Sequence, residues 1–308
     1  MSESINPSQA TVADDEIDLR ELFAAIWQGK WIIIAVTAVF AVASVFYALS
    51  LPNIYKSEAL LAPVTEESGL KIPGQLGGLA ALAGVNLGSG GGDKTSLALE
   101  ILKSREFLGR FITKHDLFIP IMAVEGWSRA DNSLIIDGDI YNSANNEWVR
   151  EAKPPFAAKP SLLETHEEFL ELLSVTQDKE TGMVKLAMQH YSPFLAQQWV
   201  NLLVTEINDE MRQRELTEAQ SSIAYLTDQI EKTNIADVRT MLFSLIEEQT
   251  KTVMLANVRE EYVFKTVDPA VVAEKKAKPA RALIVVIAVI LGGMLATLVV
   301  LVRYFSSK

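Results

Sequence analysis

The sequence lacks cysteine entirely, and its charge balance is acidic. Its 308 residues include no cysteine and carry a net charge of −11. Without thiols, cysteine catalysis, disulfide scaffolds and cysteine-based zinc sites are excluded. An acidic chain without a basic stripe repels phosphate backbones, so nucleic-acid binding is not expected.

Charged residues are absent from two long apolar stretches, Trp31–Leu51 and Ala282–Val302. Each is 21 residues long and holds 18 apolar residues. A helix of that length measures about 31 Å, which matches the ~30 Å hydrocarbon core of a bilayer. We predict two transmembrane helices. A cleaved signal peptide is the alternative for the first stretch, but six acidic and only two basic residues stand in the 30 positions before it, the reverse of a basic signal start.

Two spans place both termini on one side of the membrane and the intervening loop on the other. Flanking charge leaves the orientation open, since Lys30 and Arg303 favour cytoplasmic tails whereas a basic cluster within 275–281 lies on the loop side. The predicted domain order is an amino-terminal tail (1–30), a span (31–51), a loop domain (52–281), a second span (282–302) and a carboxy-terminal tail (303–308).

The second span carries three small residues, Gly292, Gly293 and Ala296. The four-residue spacing from Gly292 to Ala296 is one that lets two membrane helices approach closely. These residues are the candidate transmembrane helix interface. The plainer explanation, that glycine is common in membrane helices, stays open. Neither span contains an ionisable residue, so transport chemistry is not expected.

The first part of the loop alternates between strand and helix signals. Ile54–Val64 predicts a strand and Ser96–Lys114 predicts a helix, while 69–92 holds nine of the 16 glycines and predicts an irregular loop. Asp137-Gly138 predicts the turn of a hairpin between the apolar residues on either side. Met183–Met188 alternates as a strand.

The second part of the loop lacks glycine and proline over the 75 residues from Phe194 to Asp268. Ser192 as N-cap and Pro193 at the first helical position predict a helix start. The helix, Ser192–Ile230, is about 58 Å long. After a turn at Thr233-Asn234 a second helix runs back, and Glu261–Asp268 predicts a strand. The fold class is therefore α+β, with a small α/β base near the membrane (52–191 and 259–281) and a protruding helical hairpin (192–258).

A thin apolar stripe follows the first hairpin helix. Because such a stripe buries little by itself, we predict that neighbouring copies cover it in a homo-oligomer. The alternative is a long helix that packs within its own chain. The candidate oligomer seam consists of Leu195, Trp199, Leu203, Ile207 and Met211.

No residue pattern points to catalysis, a cofactor or a metal. The stretch 88–95 resembles a phosphate-binding loop, but Asp93 stands where such a loop requires glycine. His115, His166 and His190 lack metal-ligand spacing. No Gly-x-Ser-x-Gly elbow marks a serine nucleophile. We therefore predict no enzyme, no cofactor and no metal.

In order along the chain, these features resemble the Wzz-type chain length determinants of the polysaccharide co-polymerases. Pro269 and Pro279 are similar to the family's proline-containing approach to its second span and form the candidate membrane-entry motif. The sequence departs from the family in that 271–278 contains no proline. The matching segments are Ile17–Phe23 with Trp27, Lys30 and Trp31, then Tyr55–Ala59, Ser192-Pro193 with Ala196, Trp199 and Asn201, Met254–Asn257 with Glu261 and Tyr262, Asp268–Ala270 and Lys278–Pro279.

The resemblance implies a non-catalytic scaffold in the bacterial inner membrane, with cytoplasmic tails and a periplasmic loop. It implies that a homo-oligomer regulates the modal length of lipopolysaccharide O-antigen together with a Wzy-type polymerase, and that lipid-linked polysaccharide is a further partner. Larger relatives in capsule and exopolysaccharide export add a cytoplasmic tyrosine kinase, which is not expected here because six residues, 303–308, follow the second span.

Other functions stay open beside this one. Within the class, the alternative is a regulator of enterobacterial common antigen or of capsule and exopolysaccharide length or export. From other classes, a two-span sensory receptor and a membrane-tethered polysaccharide hydrolase or lyase are retained.

Overall fold

A computed structural model describes residues 19–64 and 90–306 of the chain. The chain divides into two compact units. The terminal unit combines the two ends of the chain, up to Leu51 and from Pro279 onward. The loop unit runs from Pro52 to Lys278. The predicted loop domain, 52–281, begins at the same residue and ends three residues later.

Helices dominate both units. The described helices are α1 (Leu19–Gln28), α2 (Lys30–Ser50), α3 (Gly90–Lys103), α4 (Arg105–Lys114), α5 (Phe118–Met122), α6 (Leu162–Leu172), α7 (Pro193–Lys232), α8 (Ala236–Val258) and α9 (Arg281–Ser306). Helices α2 and α9 are long and apolar enough to cross a membrane. They match the two predicted spans to within a residue, except that α9 continues four residues further.

The strands form one larger sheet and two hairpins. The described strands are β1 (Tyr55–Pro63), β2 (Val124–Ser128), β3 (Ser133–Ile136), β4 (Tyr141–Asn142), β5 (Glu147–Trp148), β6 (Leu173–Gln177), β7 (Val184–His190) and β8 (Phe264–Asp268). The larger sheet has the order β6-β7-β1-β8, with antiparallel neighbours throughout. The mixed helix and strand architecture confirms the predicted α+β class.

One face of this sheet carries the core of the loop unit. Ser57, Ala59 and Leu61 of β1 alternate as buried residues, as strand geometry requires for a single face. Ala59 pairs with Leu186 on β7, which is also buried. Helix α7 packs against β1 and β7. The sheet and α7 therefore share one apolar layer.

The stripe on the first half of α7 is buried within that layer. Trp199, Leu203 and Ile207 are each 0–1% exposed in the single chain, and Met211 is 5% exposed. The indole of Trp199 lies 5.8 Å from the ring of Phe169, centroid to centroid. Leu195 is partly buried against the same core. The predicted oligomer seam is therefore wrong, because the chain's own sheet and helices cover these side chains.

The long helix otherwise begins and ends as expected. The Ser192 hydroxyl accepts a hydrogen bond from the Leu195 N–H, and Pro193 occupies the first helical turn. Helix α7 has 40 residues, which gives a length of about 60 Å. Helix α8 returns along it, and the two helices pack on each other. Nine of the eleven buried residues of α7 lie between Pro193 and Met211, so the helix is buried mainly in its first half.

A buried asparagine joins α7 to the returning chain. The side chain of Asn208 is 4% exposed. Its Oδ1 accepts hydrogen bonds from the backbone N–H groups of Tyr262, Val263 and Phe264 at 3.0, 2.8 and 2.9 Å, and its Nδ2 donates to the Phe264 carbonyl at 3.0 Å. Nδ2 also donates to Val204 O, one turn earlier on the same helix. All of these buried polar groups are thereby satisfied.

Two local predictions were wrong. The helix predicted over 96–114 is two helices, because Ser104 adopts an extended backbone and its hydroxyl caps α4 by accepting from the Phe107 N–H. The Asp137 turn does not join a hairpin. Strand β3 before it pairs with β2, and β4 after it pairs with β5. The Asp137 carboxylate accepts from the Asp139 N–H and so turns the chain from one small hairpin to the next.

Replacement of Asn208 by alanine removes the acceptor for three buried N–H groups. Each unsatisfied buried group costs about 1–3 kcal/mol, so three groups cost at least about 3 kcal/mol. We therefore expect Asn208→Ala to lower the melting temperature of the full chain in mild detergent by at least about 6 °C. Thermal unfolding followed by circular dichroism measures this effect.

The matched control is Asn257→Ala on α8. The Asn257 side chain is exposed, and its amide makes the same one-turn bond, to Val253 O. Its loss should change the melting temperature by only about 2 °C. Equal shifts for the two variants would refute the role assigned to Asn208.

Candidate functional site

The candidate transmembrane residues lie where α2 and α9 pack against each other. A Cβ placed on Gly292 would lie 2.8 Å from both Cβ and Cγ of Phe40, which is closer than carbon atoms approach in proteins. Ala296, one turn later, is 1% exposed. On α2, Ser44 and Ala48 are also buried. Small residues on both helices therefore permit close contact within a single chain.

Gly293 occupies a roomier position beside this contact. A Cβ on Gly293 would lie 3.7 Å from Thr37 Oγ1, an ordinary van der Waals distance. The close approach of the helices therefore requires glycine at position 292 but not at position 293.

An arginine at the start of α9 holds the end of α2. Arg281 Nε donates to the Ala48 carbonyl at 2.8 Å, and its Nη2 donates to the Leu51 carbonyl at 3.1 Å. Carbonyls at a helix carboxy terminus lack partners within the helix and carry partial negative charge. Arg281 satisfies two of them and brings positive charge to that end.

At the margin of the loop unit, a backbone bridge joins the two segments that continue into the spans. The Ile54 N–H donates to Lys278 O at 3.0 Å, and the Ala277 N–H donates to Ile54 O at 2.8 Å. Pro279 follows at once, and its ring clashes with a helical conformation of the preceding residue, which favours extended backbone at Lys278. The entry and exit of the loop unit are therefore tied together, next to one of the two predicted membrane-entry prolines.

The other predicted proline, Pro269, follows the last residue of β8. Beyond it, Gln197 Nε2 on α7 donates to Ala270 O at 3.1 Å, and the Ser57 hydroxyl on β1 donates to Val271 O at 2.7 Å. Ala270 is 3% exposed. The exit segment after Pro269 is thus fastened to both the long helix and the sheet.

Acidic residues on α7 pair with basic residues of α3 and α4. Within the described chain, the ion pairs on this side of the helix are Glu206 with Lys114 and His115, Glu210 with Arg110, and Glu215 with Lys94. Partial burial opposes ionisation of Glu206, but hydrogen bonds from Lys114 and His115 and their charges outweigh it and lower the pKa of Glu206. The carboxylate is therefore held ionised in contact with its partners.

The histidines take structural positions. His190 is buried, its Nε2 donates to Pro120 O at 2.9 Å, and its Nδ1 accepts from the Ser192 N–H at 3.0 Å. Burial lowers the pKa of His190, so it stays neutral. His166 Nε2 donates to Lys103 O. Among the described residues, no group of three or more histidines and carboxylates is arranged to hold a metal ion.

The segment that resembles a phosphate-binding loop, 88–95, lies partly outside the described residues, which resume at Gly90. Lys94 lies within α3, and its ammonium contacts Glu215 Oε1 at 2.8 Å. This lysine is thus engaged by a carboxylate on α7.

Helix α8 exposes several large apolar side chains, and three of them share one face. Phe243, Met254 and Val258 are 54%, 65% and 81% exposed. Their spacings of eleven and four residues place them on one face, since eleven residues complete about three helical turns. We call Phe243, Met254 and Val258 the α8 stripe. Sequence reasoning missed it because the same helix also carries buried apolar residues.

Sequence reasoning also missed the roles of Asn208 and Arg281. Asn208 follows Ile207 directly on the predicted helix. An amide next to an apolar stripe is the sequence signal that could have indicated a buried hydrogen-bonding role. Arg281 carried a signal as well, as a cation directly before an apolar run, but its carbonyl partners are more than 200 residues away along the chain.

Replacement of Gly292 by alanine should separate α2 from α9. The natural chain has no thiol, so Thr37→Cys with Gly293→Cys introduces one unique pair at the helix contact. Overpacking costs about 1 kcal/mol or more, so adding Gly292→Ala should slow disulfide formation about fivefold. Alkylation of free thiols, counted by mass, measures the rate.

The matched control adds Gly138→Ala to the same cysteine pair, because a Cβ on Gly138 meets no atom within 4 Å. This change should leave the rate unaltered. Unchanged disulfide formation with Gly292→Ala would contradict the close approach of the helices.

Two family models match parts of the chain. Residues 15–115 match the chain length determinant protein family, Wzz, and residues 234–305 match the G-rich domain on putative tyrosine kinase family. The first match covers α1, α2, β1, α3 and α4. The second begins before α8 and ends within α9.

Curated relatives are similar over a shorter segment. The chain is 26% identical over 135 residues to the tyrosine-protein kinase wzc of Salmonella typhi and 27% identical over 135 residues to the tyrosine-protein kinase etk of Escherichia coli K12. These alignments cover 42% of this chain and only 18% and 17% of the two kinases. The chain therefore matches less than a fifth of these relatives' length.

Solved structures are also similar to the chain. A full-length bacterial polysaccharide co-polymerase has 14% identity and a TM-score of 0.39, with 94% of this chain and 98% of that one covered. A fragment of WzzB, a polysaccharide co-polymerase from Salmonella Typhimurium, has 11% identity and a TM-score of 0.30, with 73% and 100% covered. The match to the family model over residues 15–115 confirms the resemblance to the Wzz-type chain length determinants.

Proposed function

We propose that the protein is a membrane-anchored, non-catalytic regulator of polysaccharide chain length. The observation that carries this proposal is the chain length determinant match over residues 15–115, which includes the first span and the strand that follows it. Two spans enclosing a single loop unit support the same function, because both ends of the working domain are then fixed to the bilayer.

The physical basis of such a function is a rigid, extended support. Helix α7 is held by the sheet along one face, by the carboxylate pairs along another and by Asn208 at the chain's return. A helix fastened in this way keeps its direction along the rest of its length. We propose that this support organises the polymerase or its growing glycan and carries no reactive group itself.

The proposed glycan is lipopolysaccharide O-antigen, made by a Wzy-type polymerase on a lipid-linked carrier. The proposed location is the bacterial inner membrane, with both termini in the cytoplasm and the loop unit in the periplasm. Reporter fusions test this orientation: phosphatase fused within the loop unit should be active, and a cytoplasmic reporter fused there should not.

A second glycan class has a specific observation in its favour. The curated relatives are tyrosine kinases named wzc and etk, and the second family model is a domain found on putative tyrosine kinases. These matches favour a role in capsule or exopolysaccharide length or export. Enterobacterial common antigen is the remaining glycan of the same class.

Deletion of the gene in its own host distinguishes these glycans. We expect the modal band cluster of lipopolysaccharide on a gel to be lost in the deletion strain and restored by the wild-type gene, because length control requires the regulator. Capsule and common antigen are sized in the same strains.

An unchanged lipopolysaccharide pattern together with altered capsule length would favour the capsule alternative. If no glycan changes length, the proposed function is wrong. Complementation with Asn208→Ala should restore less of the modal pattern than complementation with Asn257→Ala, because only the first disturbs the base of the hairpin.

We further propose a homo-oligomer, with the α8 stripe as the contact between copies. The side chains of the seam predicted on α7 are covered by other parts of the same chain, whereas the three large apolar side chains of the α8 stripe are more than half exposed. A second copy is the occupant that this chain itself supplies, and adjacent helical hairpins can bury such a stripe against one another.

The double variant Met254→Asp, Val258→Asp should reduce the mass of the assembly, because burial of two unpaired carboxylates is unfavourable. Light scattering of the full chain in detergent measures the mass. The control is Thr217→Asp, Ser221→Asp on α7, which adds the same charge at the same spacing on exposed polar positions. Equal masses for both variants would exclude the α8 stripe as the contact.

A further inference from the structure

A short basic segment lies at the margin of the loop unit, directly before the second span. Lys275, Lys276 and Lys278 are all exposed. Within the described residues, none of the three forms an ion pair, although Glu274 stands beside them in the sequence and is exposed as well. We call these three residues the lysine triad. Its charges are free to bind an external anion.

The triad stands on a fixed backbone. Ala277 and Lys278 form the hydrogen-bonded bridge to Ile54, with N···O distances of 2.8, 3.0 and 3.2 Å. Upstream, the Ser57 hydroxyl holds Val271 O. Because the segment is secured at Val271 and again at Ala277 and Lys278, the triad does not lie on a flexible linker.

The covalent chain holds this region close to the bilayer. Lys278 precedes Arg281, the first residue of α9, by three positions, and Ile54 follows Leu51 by three. Three residues span at most about 11 Å, and a bilayer's headgroup layer adds about 5–8 Å to each side of the hydrocarbon core. Since the apolar part of α9 begins at Ala282, the Lys278 side chain is within reach of lipid headgroups, and Lys276 and Lys275 stand two and three positions before it.

Arg281 has a different role from the three lysines. Its guanidinium is engaged by the carbonyls of Ala48 and Leu51 at the end of α2. The basic residues around the start of α9 thus divide into one that joins the two spans and three that face outward. The outward charges are the ones that a membrane surface can attract.

We propose that the lysine triad is a binding site for anionic phospholipid, with the headgroup phosphate of phosphatidylglycerol as its ligand. The site rests on the proposed insertion of α2 and α9 in a bilayer. The single negative charge of the bound headgroup phosphate offsets part of the triad's positive charge, and the bound lipid fastens the margin of the loop unit to the membrane surface at a defined place. Electrostatic attraction of this kind weakens with ionic strength.

Binding of fluorescent phosphatidylglycerol to the full chain in nonionic detergent tests the site, with fluorescent phosphatidylcholine as the neutral comparator. Each lysine near an anionic surface contributes about a fivefold gain in binding. The variant Lys275→Gln, Lys276→Gln, Lys278→Gln should therefore bind phosphatidylglycerol about a hundredfold more weakly, and its binding should lose its salt dependence. Binding of phosphatidylcholine should not change.

The matched control removes three exposed lysines elsewhere, Lys153, Lys179 and Lys251, and so changes the net charge equally. It should keep the wild-type preference for phosphatidylglycerol. Equal affinities of the triad variant and the wild type would overturn the proposal, as would a wild-type protein that binds both lipids alike. Full competition by glycerol 3-phosphate would also overturn it, because the site would then hold free phosphate and not lipid.

Failure of membrane insertion gives a different result. Alkaline carbonate releases proteins that are not inserted, so a chain found in the soluble fraction would refute the spans themselves. A chain that stays in the membrane pellet but shows no preference for anionic lipid would refute only the lipid site.

Discussion

A single buried amide fastens the long helix to the strand that leads back towards the second span. Asn208 accepts three consecutive backbone N–H groups through one oxygen. Tyr262 and Val263 lie between α8 and β8, and Phe264 is the first residue of β8. Since unsatisfied N–H groups cannot be left in a dry interior, this contact decides where the hairpin ends and the sheet resumes.

The rest of the loop unit is built outward from that junction. Strand β8 reaches its place beside β1, the exit segment is then held by Gln197 and Ser57, and the bridge at Ile54 brings the two ends of the unit together. In the terminal unit, Arg281 joins the ends of α2 and α9 in a similar way. Each unit therefore closes on itself near the point where the chain passes from one to the other.

This closure gives the basic segment before α9 a physical role. As a topology signal, positive charge on the loop side argues against an orientation in which the tails are cytoplasmic. Taken as a surface feature, the same charge is an exposed lysine triad on a fixed backbone, suited to lipid phosphate. The two interpretations do not conflict, because charge bias acts on short loops during insertion, whereas lipid binding acts on the folded protein.

The sequence by itself determined the features that depend on neighbours in the chain. Uncharged runs of 21 residues specify spans, and Ser192-Pro193 followed by 75 residues free of glycine and proline specifies a long helix. The resemblance to chain length determinants likewise rested on short local segments. Helix geometry and bilayer thickness are enough to draw these conclusions.

Only the tertiary structure decided what each surface touches. The stripe at Trp199 has the same periodicity whether a second copy or the chain's own sheet covers it, and the sheet covers it. The partners of Asn208 are 54–56 residues away, and those of Arg281 are more than 200 away. Periodicity reports which face of a helix is apolar, but the partner of that face depends on contacts between distant segments, which no local pattern encodes.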